Sequence, residues 1–299
     1  MEFSKSEKSI QNCYSTWGKR YYSDYYQSNR AYPPVHTEII KEILKEENPS
    51  SLLDGGCGPA SMLRDLSDLG IDLYGFDLTA EMINEAKNIF KKLKLPTNRL
   101  WQGSVLNQND FISSPTGKKT FDAAICFGVL PHILKGQEEK VFDNFINVLN
   151  SGSIFAIEAR NELFSLFSLN RYSKDFFMDK LINKNLYKTS GFDYEFVSKT
   201  LDNYFDTNLP PLRKGYEKEP GYDEITSRLH NPFELSELAK SKGLVDVEIL
   251  FYHYHALPPL FENKINKGLY KEKSLDIENP RDWRGHFLAS AFILKARKV

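Results

Sequence analysis

The sequence predicts an α/β protein with a doubly wound sheet, and three observations support this fold class. Apolar runs of strand length alternate with helix-like periods between residues 50 and 160, which gives five βα units. A glycine-rich turn, Asp54 to Gly58, follows the first run, and an acidic residue, Asp77, ends the second. A strand, a glycine turn and a helix N-terminus together form a corner that binds nucleotides.

The composition is that of an ordinary globular protein and argues against several functional classes. The chain has 299 residues, 41% of them hydrophobic and 26% charged, with a formal net charge of −1. Such a charge gives no general attraction to nucleic acid or anionic membranes, and no apolar run is long enough to span a bilayer. The N-terminus lacks the apolar core of a signal peptide, and three cysteines are too few for a disulfide framework. We therefore expect a cytoplasmic protein that binds neither nucleic acid nor membrane.

Two helices are expected before the glycine turn. Residues 9–30 carry aromatic side chains three and four positions apart, which suits one face of a helix. These aromatic residues are Tyr14, Trp17, Tyr21, Tyr22, Tyr25 and Tyr26. The stripe either packs on the core or closes over a ligand, and the sequence leaves both interpretations open. A second helix, Val35 to Glu47, follows Pro33-Pro34 and leads into the first strand.

The elements after the glycine turn keep a regular βα order. Pro59 suits the first position of a helix, and Gly70 is placed to end that helix. The loop from Asn107 to Lys119 is polar, and we expect it to be exposed. The next predicted strands are Ile71–Phe76, Arg99–Gln102, Phe121–Phe127 and Ile154–Glu158, and further helices are capped by Thr79 and start at Val141.

The βα order is interrupted after Arg160. Residues 161–230 are rich in aromatic side chains and lack a strand period, so we interpret them as an inserted, mainly helical cap after the fifth strand. An insertion at that edge of a doubly wound sheet lies where ligands bind. A helix from Asn231 to Gly243 then restores the order.

Two further strands, 244–255 and 286–295, complete a sheet of seven. The predicted organisation is an N-terminal part, 1–160, the cap, 161–230, and a C-terminal part, 231–299, with a smaller insert, 258–284. The smaller insert belongs either to the site or to a homodimer contact, and the sequence does not decide between them.

The glycine turn and a later segment resemble motifs of the class I S-adenosylmethionine (SAM) dependent methyltransferases. Asp54, Gly56 and Gly58 match the family's acid-x-G-x-G motif, and Gly55 supplies an extra glycine common in the family. Residues 121–133 read FD-x-x-x-C-FGVL-x-HI and resemble its fourth motif. A nicotinamide oxidoreductase would need G-x-G-x-x-G/A, in whose last position this chain has a serine, so that rival fits poorly. The resemblance implies SAM as cofactor and an antiparallel seventh strand.

The resemblance also assigns cofactor contacts. Asp77 would accept the ribose hydroxyl groups, although a helix-capping role is the alternative. Relatives carry an acidic residue where Ser104 stands, on the adenine side, and the N-terminal tyrosines of similar proteins close over the cofactor. The residues expected to bind the cofactor are Asp54, Gly55, Gly56, Gly58, Asp77, Leu78, Met82, Ser104, Val105, Phe127, Gly128 and Tyr22.

Methyl transfer from a sulfonium depends on alignment and exclusion of water, and a hydroxyl acceptor also needs a base. Strand alternation places Phe251, His253 and His255 on one face. These histidines could bond to the cap, ligate a metal or act as a base; we expect no metal, because Gly128 and Pro131 occupy the acidic positions of metal-dependent relatives. The catalytic candidates are His253, His255, His132 and Glu158, and the substrate-binding candidates are Arg160, Asn161, Tyr252 and Tyr254.

Nucleic acid is not indicated as the substrate, because Phe127-Gly128-Val129-Leu130 stands where relatives that methylate adenine or cytosine carry an N/D-P-P-Y/F tetrad. We expect a small-molecule methyltransferase that acts on a polar acceptor at a hydroxyl group, such as a sugar or a nucleotide sugar. Small-molecule N-methylation and a catalytically silent SAM-binding protein are the alternatives. The sequence does not identify the acceptor.

Overall fold

The computed structural model describes residues 3–15, 34–183, 185, 193–208, 225–261 and 264–299. Tyr22 and the other aromatic residues of the N-terminal stripe beyond Tyr14 lie outside the described residues, as do parts of the predicted cap.

Seven strands form one sheet. In chain order they are β1 (Ser51–Gly55), β2 (Asp72–Asp77), β3 (Leu100–Gln102), β4 (Phe121–Cys126), β5 (Leu149–Arg160), β6 (Leu244–Tyr254) and β7 (Ala289–Lys298). The spatial order is β3-β2-β1-β4-β5-β7-β6, and the first five strands pair in parallel. The last strand runs antiparallel. The predicted fold class, a doubly wound seven-stranded sheet, is confirmed.

The helices fill the intervals between the strands. Those before β5 are α1 (Lys5–Tyr14), α2 (Val35–Glu47), α3 (Ser61–Asp65), α4 (Ala80–Lys92), α5 (Gln108–Phe111) and α6 (Glu138–Val148). Those after it are α7 (Ser165–Ser168), α8 (Arg171–Phe176), α9 (Tyr194–Leu201), α10 (Pro232–Ser241), α11 (Lys267–Asp276) and α12 (Gly285–Leu288), with a π-helical turn at Phe177–Leu181.

The central strands β1 and β4 are buried on both faces. Leu52, Leu53, Ala123 and Ala124 have no exposed surface. Such continuous apolar runs are typical of parallel strands that are covered by helices on both sides. The register pairs the last residue of β1 with Phe76 of β2, so the carboxyl ends of these strands meet at one edge of the sheet.

The helix after the glycine turn is shorter than the sequence predicts. It was expected to open at Pro59, but α3 begins at Ser61, because Ala60 adopts a left-handed conformation with φ 59°. A 3₁₀ turn, Ser67–Leu69, follows α3, and Gly70 ends it with φ 72°, as expected of a glycine at a helix end.

The loop between Asn107 and Lys119 is exposed or half-buried over most of its length, as predicted, but three of its residues are buried. It contains α5, whose Asp110 and Phe111 are 2% and 0% exposed. Asp110 accepts a hydrogen bond from the Ser104 amide at 2.8 Å, and the Phe111 ring packs edge-on against Phe76 at 4.8 Å between centroids. The polar composition of the loop concealed these two anchoring side chains.

The chain divides into two compact units. Unit 1 comprises Met1–Arg160, Leu212–Leu250 and Phe292–Val299, and unit 2 comprises Asn161–Pro211 and Phe251–Ala291. Unit 2 is mainly helical where it is described and includes residues from both predicted inserts. The boundaries 161–230 and 258–284 stay predictions. None of the helices in the described part of the chain combines the length and apolar character that a membrane span requires.

Candidate active site

A cavity in unit 1 lies where β1, β2 and β4 end. It measures about 710 Å³, counting the part open to solvent, and pockets for small ligands typically measure about 300–1,000 Å³. Five segments form its walls: the glycine turn, the start of α4, the segment after β3, the loop after β4 and one face of α1. Ligands bind at this edge of doubly wound sheets.

The glycine turn presents bare backbone to the cavity. The amides of Gly56 and Cys57 both donate to the Phe76 carbonyl, at 2.8 and 3.0 Å, which fixes the turn against β2. Gly56 has φ 85°, and a Cβ there would lie 2.3 Å from a methyl group of Val129. Gly58 has φ 53°, and a Cβ there would meet no atom within 4 Å. Gly58 therefore faces open space that a ligand can fill.

Asp77 lies at the cavity wall with both carboxylate oxygens engaged. Oδ2 accepts from the Gly58 amide at 2.9 Å, and Oδ1 accepts from the Thr79 amide at 2.8 Å. Burial raises the pKa of Asp77, and these two hydrogen bonds oppose that rise. The Thr79 side chain also contributes a hydrogen bond. An ionised carboxylate has about four lone-pair sites, so these contacts still leave room for one with ribose. The ribose contact stays a prediction.

Asp54, the first residue of the glycine turn, is not among the described residues that line the cavity. It is 2% exposed. Burial and then the charge of Asp77 raise its pKa well above the usual range. Gly55, which follows it, is needed for packing, because a Cβ there would lie 2.4 Å from the ring of Phe145. Both residues are buried, and their predicted contacts with the cofactor stay predictions.

The predicted cofactor residues Leu78, Met82, Ser104, Val105, Phe127 and Gly128 all line the cavity. Ser104 is 5% exposed, and its hydroxyl group donates to Glu7 of α1 at 2.5 Å. The same hydroxyl oxygen accepts from the Leu106 amide at 3.1 Å. Glu7 is not one of the residues predicted to line the site.

One face of α1 covers the cavity through Glu7, Ile10 and Tyr14. Gln11 holds the helix in place by donating from Nε2 to the Leu78 carbonyl at 2.8 Å. Residues three and four positions apart share a helix face, which explains why these side chains act together. The helix begins earlier than residue 9, because Ser4 and Glu7 form a capping box. That S-x-x-E pattern was the signal that could have revealed it.

His132 stands in the loop after β4 and is 6% exposed. Its Nδ1 lies 2.7 Å from the Thr226 carbonyl oxygen, and its Nε2 lies 2.8 Å from the Tyr14 hydroxyl group. A carbonyl only accepts, so Nδ1 carries the proton and Nε2 accepts from Tyr14. Burial, with a smaller contribution from the charge of Arg160, lowers the pKa of His132 to about 4 against the opposing effect of the hydrogen bond to Thr226. The imidazole is therefore neutral at neutral pH.

Glu158 and Arg160, at the end of β5, support the residues around the cavity. Glu158 accepts a hydrogen bond from the Gly128 amide at 2.6 Å, which holds the loop after β4. Arg160 donates to the Ser227 hydroxyl group at 2.6 Å. A catalytic role for Glu158 and a substrate-binding role for Arg160 stay predictions.

The remaining predicted site residues belong to unit 2 and do not line the described cavity. Asn161 is 1% exposed, and its amide nitrogen lies within 3.2 Å of the carbonyl oxygens of Gly285, His286 and Ala289. Its Oδ1 accepts from the Leu163 amide at 3.0 Å. These contacts hold the backbone of unit 2 together, and its substrate-binding role stays a prediction.

The strand alternation that grouped His253 with His255 is interrupted. His253 has φ 58°, which is not an extended conformation, so the alternation rule fails at that point. His255 is buried, lies 2.8 Å from the Tyr270 hydroxyl group through Nδ1, and packs on Phe164 at 4.7 Å between ring centroids. Burial, together with the neighbouring His253, lowers its pKa to about 3. Their catalytic roles stay predictions.

Tyr252 and Tyr254, the other two substrate-binding candidates, are both buried. The Tyr254 hydroxyl group donates to the Asn279 carbonyl at 2.6 Å, and burial raises its pKa. Their contacts with a substrate stay predictions. Within the described ranges, no group of three or more histidine, cysteine, aspartate or glutamate side chains is placed to hold a metal ion.

Known proteins share both the fold and part of the sequence. Residues 53–157 match a family model described as a methyltransferase domain. A malonyl-[acyl-carrier protein] O-methyltransferase from Pseudescherichia vulneris is 33% identical over 63 residues, which are 21% of this chain and 25% of that protein. The chain therefore matches about a quarter of the length of this curated relative.

Two solved structures resemble the whole chain. Magnesium protoporphyrin IX methyltransferase from Synechocystis PCC 6803, with bound SAH, has a TM-score of 0.56 at 12% identity and covers 98% of this chain and 100% of its own. A SAM-dependent methyltransferase from Clostridium acetobutylicum ATCC 824 has a TM-score of 0.52 at 14% identity, covering 95% and 96%. At such identities the likeness concerns the fold.

The fold and the glycine-turn cavity define a Rossmann-like methyltransferase domain. Residues 53–157 match a methyltransferase domain, and this match together with the fold supports the class I SAM-dependent methyltransferase family. The predicted family is thus confirmed, and with it SAM as the cofactor.

Proposed function

We propose that the protein transfers the methyl group of SAM to a hydroxyl group of a small polar molecule. The observation that carries the proposal is the hydrogen-bonded pair of Tyr14 and His132 at the wall of the cavity. The same cavity is lined by Gly58 and Asp77, so a proton-accepting pair and the residues suited to the cofactor share one space.

The residues present fit SAM. The open space at Gly58 admits a ligand close to the backbone, Asp77 offers acceptors for ribose hydroxyl groups, and Met82 and Val105 offer apolar contact for a purine ring. Gly128, with φ 68°, would face the methionine part. When bound, SAM supplies a methyl group activated by its sulfonium.

Tyr14 and His132 are suited to receive the proton that a hydroxyl acceptor loses. The phenolic oxygen of Tyr14 would take the acceptor's proton while its own proton passes to Nε2 of His132. Nδ1–H of His132 stays bonded to the Thr226 carbonyl throughout, which holds the ring in orientation. The neutral state of His132 makes Nε2 available for this step at neutral pH.

The low pKa of His132 supports oxygen rather than nitrogen as the methylated atom. A hydroxyl proton becomes strongly acidic as the new carbon–oxygen bond forms, so a weak base is sufficient to remove it. An alkyl amine, with a pKa of about 10, is protonated at neutral pH and must lose a proton before it can attack. A base whose pKa is about 4 holds that proton poorly. N-methylation remains the alternative for an acceptor nitrogen that is already unprotonated.

The proteins similar to this chain do not identify the methyl acceptor. The curated relative matches only a quarter of its own length, and its name specifies a malonyl group on acyl-carrier protein. The structural likeness to a protoporphyrin methyltransferase rests on 12% identity. We retain a sugar or a nucleotide sugar as the first class to test, because such molecules present several hydroxyl groups to a base.

The proposal is tested by measuring two properties of the full-length protein. Calorimetry with S-adenosylhomocysteine measures cofactor binding, and transfer of a labelled methyl group from SAM to a panel of sugars, nucleotide sugars and matched amines measures activity. Methylation of a hydroxylated member supports the proposal. Binding without any transfer would favour a silent SAM-binding protein, transfer to amines alone would favour N-methylation, and absence of binding would contradict the proposal altogether.

A further inference from the structure

The corner of the cavity after β3 contains a carboxylate that comes from α1. Glu7 lines the cavity there, and its Oε1 accepts from the Ser104 hydroxyl group at 2.5 Å. Its Oε2 accepts from the amide and the hydroxyl group of Ser4, both at 2.8 Å. The carboxylate is thus held by partners on two sides, and Oε1 is the oxygen on the Ser104 side.

The polar hydrogen atoms of Ser104 and the Leu106 amide are already engaged in this corner. The single hydroxyl proton of Ser104 is directed to Glu7, and the Ser104 amide donates to Asp110 at 2.8 Å. The Leu106 amide donates to the Ser104 hydroxyl oxygen at 3.1 Å. An ionised carboxylate only accepts, and an oxygen with one bound donor has room for another. A ligand group that meets Glu7 must therefore carry an N–H or O–H.

The side chains next to the carboxylate are apolar. Val105 and Leu106 follow Ser104 directly and line the cavity, as does Ile10, one turn beyond Glu7 on the same face of α1. A flat, largely apolar ring with one donor at its edge suits such a corner, whereas a charged ammonium group requires more acceptors than one. Among the donor groups of SAM, the exocyclic amino group of adenine meets this description.

We propose that Glu7 recognises the adenine amino group of the cofactor and makes the site specific for a 6-amino over a 6-keto purine. The inference rests on the proposed function, since it concerns the cofactor of the same cavity. An amino group donates to Oε1, whereas a keto oxygen in its place would bring two acceptors together without a proton between them. The helix α1 therefore supplies a specificity determinant and covers the cavity as well.

The test compares two ligands, S-adenosylhomocysteine and S-inosylhomocysteine, which differ in that amino group. Wild-type protein should bind the adenosyl ligand about 10-fold or more tightly, because an unmet polar contact costs at least about 1.4 kcal/mol. In Glu7→Gln the side-chain amide can donate to a keto oxygen, so the preference should shrink to about threefold or less. Calorimetry measures both dissociation constants in each protein.

Ser4→Ala is the matched control. It removes the hydroxyl contact to Oε2 and the cap on the Glu7 amide, which weakens the start of α1, but leaves the carboxylate and its contact with the Ser4 amide in place. It should lower the affinity for both ligands by a similar factor and preserve their ratio. An unchanged ratio in Glu7→Gln would overturn the inference while leaving the proposed function intact. If wild-type protein binds neither ligand, the proposed function fails as well.

Discussion

The hydroxyl group of Tyr14 donates a 2.8 Å hydrogen bond to Nε2 of His132, and this bond connects α1 to the loop after β4. The other ring nitrogen of His132 is held by the Thr226 carbonyl at 2.7 Å. Both ring nitrogens are therefore engaged. Nδ1 orients the ring through Thr226, and Nε2 accepts from Tyr14 at the cavity wall. This arrangement gives the clearest test of the proposed proton path.

Removing either member of the pair should slow turnover far more than it weakens cofactor binding. Tyr14→Phe and His132→Ala should each lower kcat by about 100- to 10,000-fold, the usual effect of losing a general base. Affinity for S-adenosylhomocysteine should stay within about threefold of wild type, because neither side chain is assigned to the cofactor. Steady-state kinetics and calorimetry provide the two measurements, and Tyr204→Phe, at a residue 73% exposed, is the control.

The pH profile separates a proton-accepting pair from a structural one. With a pKa of about 4, His132 should keep wild-type kcat level through neutral pH and reduce it only as the pH approaches that value. Full turnover in Tyr14→Phe would remove Tyr14 from the proposed path.

Loss of the Asp77 carboxylate should weaken cofactor binding. Hydrogen bonds to a charged acceptor contribute roughly 1.5–3 kcal/mol, so Asp77→Ala should raise the dissociation constant of S-adenosylhomocysteine by about 10- to 100-fold. Asp72→Ala is the matched control in the same strand, since Asp72 lies at the opposite end of β2 and is exposed. Equal affinities in wild type and Asp77→Ala, measured by calorimetry, would show that the ribose is bound elsewhere.

The sequence predicted the sheet and most of the cavity because both depend on local patterns. Apolar runs define β1 and β4. The glycine turn and Asp77 mark the edge of the sheet at which the cavity lies. Glu7 was not predicted, because its place beside Ser104 depends on how α1 packs 97 residues away in the chain. The resemblance expected an acidic residue at Ser104, and the structure places the carboxylate of Glu7 against that serine.

The prediction that His253 and His255 share one face of a strand failed because of the backbone conformation. The prediction assumed an unbroken strand. His253 has a left-handed conformation, with φ 58°, which the order of apolar and polar residues does not reveal. The buried Asp110 and Phe111 were likewise hidden within a polar loop, because their burial depends on Ser104 and Phe76 in other elements.

Two glycines allow the open space beside the turn to be tested without a confounding backbone effect. Gly58 and Gly70 both have positive φ, 53° and 72°, and a Cβ at either would meet no atom within 4 Å. Alanine at either position should therefore cost a similar amount of stability, about 1–2 kcal/mol for the left-handed conformation. Only Gly58 lines the cavity, so only Gly58→Ala should also lower the affinity for S-adenosylhomocysteine.

Urea unfolding and calorimetry of the two variants provide the comparison. We expect similar free energies of unfolding and at least about a 10-fold difference in dissociation constant. Equal affinities would mean that the ligand does not approach the backbone at Gly58.

Three buried histidines should make the protein lose stability as the pH falls. Burial lowers the pKa of His132 and of His230 to about 4, and that of His255 to about 3. In the unfolded chain each would take up a proton near pH 6.5. Because the unfolded state then binds more protons, the free energy of unfolding is highest above about pH 6.5 and decreases as the pH falls towards about 4.

The contribution of one histidine can be isolated at His255. Each proton bound by the unfolded state alone changes the free energy of unfolding by about 1.4 kcal/mol per pH unit. His255→Asn should therefore flatten the pH dependence by up to that amount, measured by urea unfolding between about pH 7.5 and 4.5.

Tyr270→Phe is the control, since it removes the hydrogen-bond partner of His255 but leaves the imidazole buried. It should lower stability at neutral pH and keep the wild-type slope, because burial is the main cause of the low pKa. Carboxylates that titrate in this range are common to all three proteins, so identical slopes in wild type and His255→Asn would contradict a neutral, buried His255.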